Sequence, residues 1–426
     1  MASVAAVARR FRRAGEPAAR AAPLEYSMLV TATLCLLAGG AVMAYSASAP
    51  SALLGGGSGV SQLIRFAGYA LLGLAVLRAG RRVGLDTVRR FTGPLLGLSL
   101  VLLIAVRLPA VGHATNGAQR WLGFGPLQFE PSELAKLALV LYGAHVFSAG
   151  RPSTRQLRRA FKRLCLVGGT GCLLVATQPD LGTTMVIAFA LVAVTLAAGV
   201  PGRQLALAAV ACVAIGGAFA VAQPYATARL TSFLNPSAHA TTTGFQAYQS
   251  ELAVGSGGLF GRGPGASIQK DAWLPEASTD FILAVVGEEL GFIGIAALLL
   301  FYGLIAVAGL RAARHATGTY AMLVAVGVTS MIVFQATLNV FAVLGIAPVT
   351  GVPLPFVSYG ASNLLVMLAG MGLLLNVAAG GSAHLRAVRP TSTPESAHAD
   401  RDRSRRDGRA RRAGARRRGR AAGAGG

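Results

Sequence analysis

Residues 273–292 read WLPEASTDFILAVVGEELGF. The stretch begins polar, with Glu276 and Asp280, and then turns apolar. Glu288 and Glu289 follow about two helical turns after Asp280. From Gly291 to Gly309 nearly every residue is apolar or glycine, so the stretch reads as the mouth of a membrane helix. A carboxylate costs about 2.5–3.5 kcal/mol at the centre of such a helix, and less near the interface, where it meets water and substrate together. Two readings of Asp280 stand here: the N-cap or first-turn acid of the helix, and a functional site.

The rest of the chain supports a membrane setting. Its 426 residues are 54% apolar and 13% charged, with mean hydropathy +0.57, whereas soluble domains carry about 25% charged residues. The expected fold is an all-α polytopic membrane protein with about ten transmembrane helices, near 26–46, 61–79, 92–108, 133–149, 163–177, 182–200, 203–222, 280–310, 318–345 and 362–379. A long extracytoplasmic loop, 223–279, separates spans 7 and 8.

Orientation follows from the basic residues. Apart from Arg65 and Lys136 within spans, one alternating set of segments holds nearly all Lys and Arg. The opposite set holds only Arg107, Arg120, Arg229, Arg262 and Lys270. The positive-inside rule then puts both termini in the cytoplasm and the motif-rich loops outside. Residues 1–25 read as a basic cytoplasmic tail leading into a signal anchor, because the first apolar run is too long for a cleavable signal. Residues 26–380 form the membrane domain. Residues 381–426, rich in Arg, Ala and Gly, cannot bury a core; they are expected to be a disordered cytoplasmic tail attracted to anionic lipid, with no specific nucleic-acid role. Cys35, Cys165, Cys172 and Cys212 all lie in apolar runs and read as core residues, and no His/Cys/carboxylate spacing marks a metal site.

Four outward segments carry the polar chemistry. In NGAQRWLGFGPLQFEPSELAK (116–136), Glu130-Pro131-Ser132-Glu133 starts a helix, and Glu133 and Lys136 share a face. They read either as an internal pair or as a cation beside a polar cavity. Arg120-Trp121 is an interfacial anchor or a phosphate contact. In QPDLGTT (178–184), Asp180 reads as a helix cap. In the long loop, glycines 255, 257, 258, 261, 263 and 265 permit close backbone approach; with Arg262 and Lys270 they suit either a phosphate cradle or a flexible re-entrant loop. The fourth, NVFAVLGIAPVTGVPLPFVSYGASNLL (339–365), has Pro348, Pro353 and Pro355 at membrane depth, where irregular backbone must be buried in protein or line a wet cavity. This segment and the start of the Asp280 helix are expected to border one outward cavity.

Taken together, MAYSASA (43–49), the three segments 116–136, 178–184 and 249–270, LPEASTDFILAVVGEELG and PVTGVPLPFVSYGAS resemble the SEDS family (shape, elongation, division and sporulation) across residues 26–380. SIQK followed by LPEASTDF resembles its FtsW-type division branch more than its RodA branch. The chain departs from the family's usual pattern at Glu130, Ser278 and Gly360-Ala361-Ser362-Asn363.

The resemblance implies an inverting peptidoglycan glycosyltransferase that polymerises lipid II, a disaccharide-pentapeptide on undecaprenyl diphosphate, at the outer face of the plasma membrane of a bacterium during septal wall synthesis. It also implies a class B penicillin-binding protein transpeptidase as partner, along with other division proteins. The family's essential aspartate maps to Asp280, and its Glu and Lys to Glu133 and Lys136. Asp280 is then the catalytic base or the residue that orients the acceptor hydroxyl. Arg120, Glu133, Lys136, Arg262, Lys270, Glu276 and Ser358 are the expected substrate-binding residues, the cations offsetting diphosphate charge. A divalent cation, Mg²⁺ or Mn²⁺, is an alternative holder of that charge, although no motif demands a cofactor. Other readings are a lipid II flippase, a non-catalytic activator of a transpeptidase, and an elongation or spore-wall polymerase of the same family.

Overall fold

The computed structural model describes residues 23–54, 60–109, 111–115, 118–124, 127–148, 153–234, 242, 244–270, 273–274 and 276–380. The expectations for the two basic tails fall outside these residues, except at 23–25. The described chain is chiefly helical. In order the helices are α1 (Pro23–Leu54), α2 (Val60–Arg82), α3 (Leu85–Ala105), α4 (Pro131–Phe147), α5 (Thr154–Ala176), α6 (Leu181–Ala197), α7 (Gly202–Ala222), α8 (Pro224–Leu234), α9 (Phe245–Gly257), α10 (Ile282–Arg314), α11 (Thr319–Val343) and α12 (Ala361–Ala378).

Every one of the ten expected spans coincides with a helix. Six of these helices, α1, α2, α3, α10, α11 and α12, are by themselves long and apolar enough to cross a membrane. Helices α4 and α6 have 17 residues each, which at about 1.5 Å per residue falls short of a roughly 30 Å hydrocarbon core. Helix α5 opens with Arg155, Arg158, Arg159, Lys162 and Arg163, which lower its mean hydropathy.

One expectation is corrected. The fold is not wholly α-helical: the outward segment before α4 forms a three-stranded antiparallel sheet, β1 (Gly112–Thr115), β2 (Ala118–Phe124) and β3 (Leu127–Phe129), in the order β1-β2-β3. His113 pairs with Trp121, and Leu122 with Phe129. The sequence between β1 and β2 is Asn116-Gly117, the dipeptide that favours tight hairpins because both residues tolerate positive φ. The long loop 223–279 contains the helices α8 and α9.

Burial separates the middle of the bundle from its rim. Helices α11 and α12 bury 78% and 83% of their apolar windows, whereas α2 buries 11% and so presents most of its surface to lipid. Helix α2 nonetheless packs closely on α12 through glycine: a Cβ on Gly372 would stand 2.4 Å from the Leu77 carbonyl oxygen. Small residues let membrane helices approach closely enough for dispersion to hold them, as bulk lipid supplies no hydrophobic drive.

Helix α10 is broken at Gly291, whose φ of 66° and ψ of −162° are not helical. The glycine-rich stretch after α9 fits into the break. Arg262 and Gly263 donate backbone N–H groups to the carbonyls of Glu288 and Glu289, at 2.9 and 3.0 Å, while Phe292 and Ile293 donate to Gly258 and Leu259. The backbone groups released by the break are therefore repaired by a neighbouring segment, as membrane depth requires. Side chains would prevent this contact: a Cβ on Gly261 would lie 2.1 Å from the Glu289 carbonyl oxygen.

Candidate active site

Asp280 lies in a turn just ahead of α10. The helix is N-capped by Phe281, with no side-chain capping bond. Among the described residues no donor reaches the Asp280 carboxylate, so the helix-cap reading does not describe its position. The turn is built by Glu276, at φ 58°, whose carbonyl accepts from Thr279 and Phe281 at 3.1 and 3.3 Å. Burial pushes the Asp280 carboxyl up to about 7; Glu276 adds to the rise, while Arg229 and Arg120 oppose it. A base that titrates near neutrality combines a large ionised fraction with useful basicity.

The proline-broken segment between α11 and α12 clamps this turn. Ser358 Oγ donates to the Thr279 carbonyl at 2.5 Å and accepts from Leu354 N at 2.8 Å. Tyr359 N donates to the Ser278 carbonyl at 2.9 Å. Asn339 of α11 donates to the carbonyls of Asp280 and Val352, both at 2.8 Å. The segment's own carbonyls are met by helix side chains: Gln335 donates to Pro353 at 2.8 Å and Tyr302 to Pro355 at 2.5 Å. The expected juxtaposition of residues 339–365 with the Asp280 turn is thus present, and Ser358 serves it by holding backbone.

Two arginines set the local charge. Arg229 of α8 donates to the Val349 carbonyl at 2.6 Å. A Cβ on Gly351 would lie 3.5 Å from Asp280 Oδ2 and 3.9 Å from Arg229 Nη1, so both groups face that glycine. Arg120, carried on β2, donates to the Gln178 carbonyl at 2.7 Å and also to that of Pro179. The sheet thereby positions Arg120 over the turn before α6, where Asp180 accepts from Thr183 N at 3.0 Å as the N-cap. Glu130, just before α4, accepts from Ser132 Oγ at 2.8 Å. Burial, then the nearby Asp180 and Glu133, push its carboxyl up to about 8.

The other expected substrate residues sit differently. Glu133 and Lys136 form an internal pair at 2.9 Å, with the Lys136 side chain fully buried. Lys136 also donates to Gln335 Oε1 at 2.7 Å, and Asn363 donates to Glu133 Oε2 at 2.9 Å. Through Gln335 this network supports the broken segment from behind. Lys270 is corrected from a free cation to a structural one: it pairs with Glu289 at 2.7 Å and donates to Ser46 Oγ and the Gly265 carbonyl at 3.0 and 2.9 Å. Arg262 stands 3.7 Å from Glu288, and Glu288 also accepts from Ser267 Oγ at 2.5 Å and Ile268 N at 3.1 Å. The glycine-rich stretch is accordingly occupied by α10 and is not a phosphate cradle.

Arg229, Glu130, Gln335 and Asn339 were not among the expected site residues. A signal for Arg229 existed, because it is one of the five cations in segments otherwise poor in positive charge.

Residues 26–382 match the model of a family described as cell cycle protein, FTSW_RODA_SPOVE. Stage V sporulation protein E of Bacillus subtilis is 38% identical over 352 residues, covering 82% of this chain and 96% of that protein. A probable peptidoglycan glycosyltransferase FtsW of Thioalkalivibrio sulfidiphilus is 39% identical, covering 82% and 88% of the two chains. A chain in a structure titled for coordinated polymerization and crosslinking by a peptidoglycan synthase complex superposes with TM-score 0.68 at 32% identity, covering 82% of this chain and 96% of that one. The rod shape determining protein RodA of Thermus thermophilus gives TM-score 0.60 at 32% identity, covering 82% and 95%.

Proposed function

The chain belongs to the FTSW_RODA_SPOVE family of cell cycle proteins, and from that membership we propose that the Asp280 turn is where it joins lipid II units into glycan strands. The protein is a bacterial membrane protein and a peptidoglycan glycosyltransferase. The observation that carries the site assignment is the Asp280 carboxylate, which no described donor engages, facing the same glycine as Arg229.

The chemistry is a single displacement. The acceptor 4-hydroxyl oxygen attacks the donor anomeric carbon, the bond from that carbon to the diphosphate breaks, and the hydroxyl proton passes to Asp280. Undecaprenyl diphosphate leaves with its charge offset by Arg120 and Arg229. Glu276 tunes Asp280. Ser358, Asn339 and the buried Glu133–Lys136 pair position it through the broken segment, and Arg262 and Lys270 hold the α10 break. A divalent cation, Mg²⁺ or Mn²⁺, would share the diphosphate charge with Arg120 and Arg229; among the described residues no group of three His, Cys, Asp or Glu is placed to hold one.

Ten spans, cytoplasmic termini and an outward-facing Asp280 complete the proposal, and the basic-residue asymmetry supports them. The partner is a class B penicillin-binding protein transpeptidase, a reading supported by the crosslinking complex among the similar structures. The role is septal wall synthesis. A spore-wall role is the second reading, favoured by the sporulation relative. The test is purified protein, with its partner, given labelled lipid II and no other transferase. Glycan polymer is expected; lipid II translocation in liposomes without polymer would establish a flippase instead.

A further inference from the structure

A second concave, cationic feature lies at the other end of the bundle. A cavity of about 500 Å³ opens between α3, α4 and α5, with Arg89, Arg159, Arg163, Tyr142 and His145 on its wall. Phe147 and Leu157, each 3% exposed, form an apolar part of the lining. The same three helices meet the Asp280 end through their opposite termini: Arg107, just past α3, donates to the Thr177 carbonyl just past α5 at 2.9 Å, and α4 starts after Glu130. The cavity is therefore separated from the candidate active site by the length of the bundle.

Three arginines line this cavity. No carboxylate among the described residues pairs with Arg89, Arg159 or Arg163. Arg89 is steadied from behind by the Tyr320 ring, 5.9 Å from its Cζ. Like charges gathered in a concavity repel one another and focus a positive field, which an anion relieves. Topology alone asks only for basic residues near the helix ends. Arg155, Arg158 and Lys162 satisfy that need on the same helix; all five basic residues of α5 are exposed, but these three lie outside the cavity and only Arg159 and Arg163 line it.

We propose that this cavity binds the phosphate headgroup of an anionic membrane phospholipid. Guanidinium groups match phosphate bidentately, and Tyr142 and His145 add further polar contacts. The apolar lining suits the start of an acyl chain, and the ends of spans place the cavity at headgroup depth.

The test is retention of phosphatidylglycerol by the full-length protein from mixed phosphatidylglycerol–phosphatidylcholine nanodiscs, read by native mass spectrometry. Wild type retains phosphatidylglycerol preferentially. Arg89→Gln/Arg159→Gln/Arg163→Gln loses that retention by roughly tenfold or more, as expected for a lost charge-assisted hydrogen bond. Arg155→Gln/Arg158→Gln/Lys162→Gln removes equal charge and keeps it. Equal loss in both triple variants overturns the proposal in favour of surface charge. Absence of preference in wild type overturns it too, as does capture of inorganic phosphate in its place. If the first triple variant does not insert, Arg159→Lys/Arg163→Lys keeps the charge but not the forked geometry. Severalfold weaker retention is then expected, and unchanged retention overturns the assignment.

Discussion

Asp280 and its neighbours make opposite demands that kinetics can separate. Asn at 280 keeps the shape of the side chain but cannot accept the acceptor's proton. General-base catalysis is worth about 100- to 10,000-fold, so Asp280→Asn should nearly abolish lipid II polymerisation while the protein still folds and binds its partner; near-normal glycan would remove the assignment. Glu276 raises the Asp280 carboxyl and Arg229 lowers it. The ionised form is the base, so activity should rise with pH through about 7. Glu276→Gln should move that limb to lower pH with a mild rate loss, and Arg229→Gln to higher pH with a larger one. Rate profiles that shift in the same direction for both variants would contradict this electrostatic account.

Glu130 gives a stability test at the same scale. Its carboxyl is raised from 4.5 to about 8 in the folded protein, so between those values the native state binds more protons than the unfolded chain. Stability must then fall as pH rises across that window. Glu130→Gln should remove this fall, leaving the variant close to wild type near about pH 5 and more stable near about pH 8. Thermal unfolding at the two pH values measures it, and a pH-independent difference would show that Glu130 ionises normally.

Among the elements, α10 is the one whose sequence conceals its shape. Its apolar run looks continuous, yet Gly291 adopts φ 66°, ψ −162°, a region available essentially to glycine alone. Gly291→Ala should cost about 1–3 kcal/mol from backbone strain. It would also push its Cβ to 2.4 Å from Gly261 N, loosening the contact that seats Lys270 and Arg262. Gly303, in the same helix, has nothing within 4 Å of a built Cβ. There Ala should be neutral or stabilising by up to about 1 kcal/mol. Similar melting points for the two variants would mean that the break is not needed.

At the scale of the molecule, sidedness is the quantity to measure. With ten spans and cytoplasmic termini, Ala240→Cys should react with an impermeant thiol reagent from outside in a background lacking the four native cysteines. Asp400→Cys should react only after permeabilisation. Labelling of position 400 in intact cells would reverse the bundle and put Asp280 on the face away from lipid II.

The sequence by itself determined the helical membrane class, the location of every long helix and the polar segments that carry the chemistry. These are local properties: apolar run length, carboxylates at helix mouths and prolines where helices end. The turn-forming dipeptide Asn116-Gly117 was a local signal too, but the strands on either side of it in sequence are short and mixed in pattern, so the sheet that carries Arg120 went unread. What only the tertiary structure decided is which polar groups are consumed by one another. Lys270 and Arg262 have no acid at helical spacing along the chain, yet Glu289 and Glu288 of α10 lie against them, whereas the three-residue spacing of Glu133 and Lys136 already offered their pairing as a reading. Arg229 is marked in the sequence only as a cation in a segment poor in positive charge, yet it shares Gly351 with Asp280 across more than fifty positions of sequence. A buried charge must find its partner wherever the fold places one, and such pairing over long separations leaves no period or spacing in the chain.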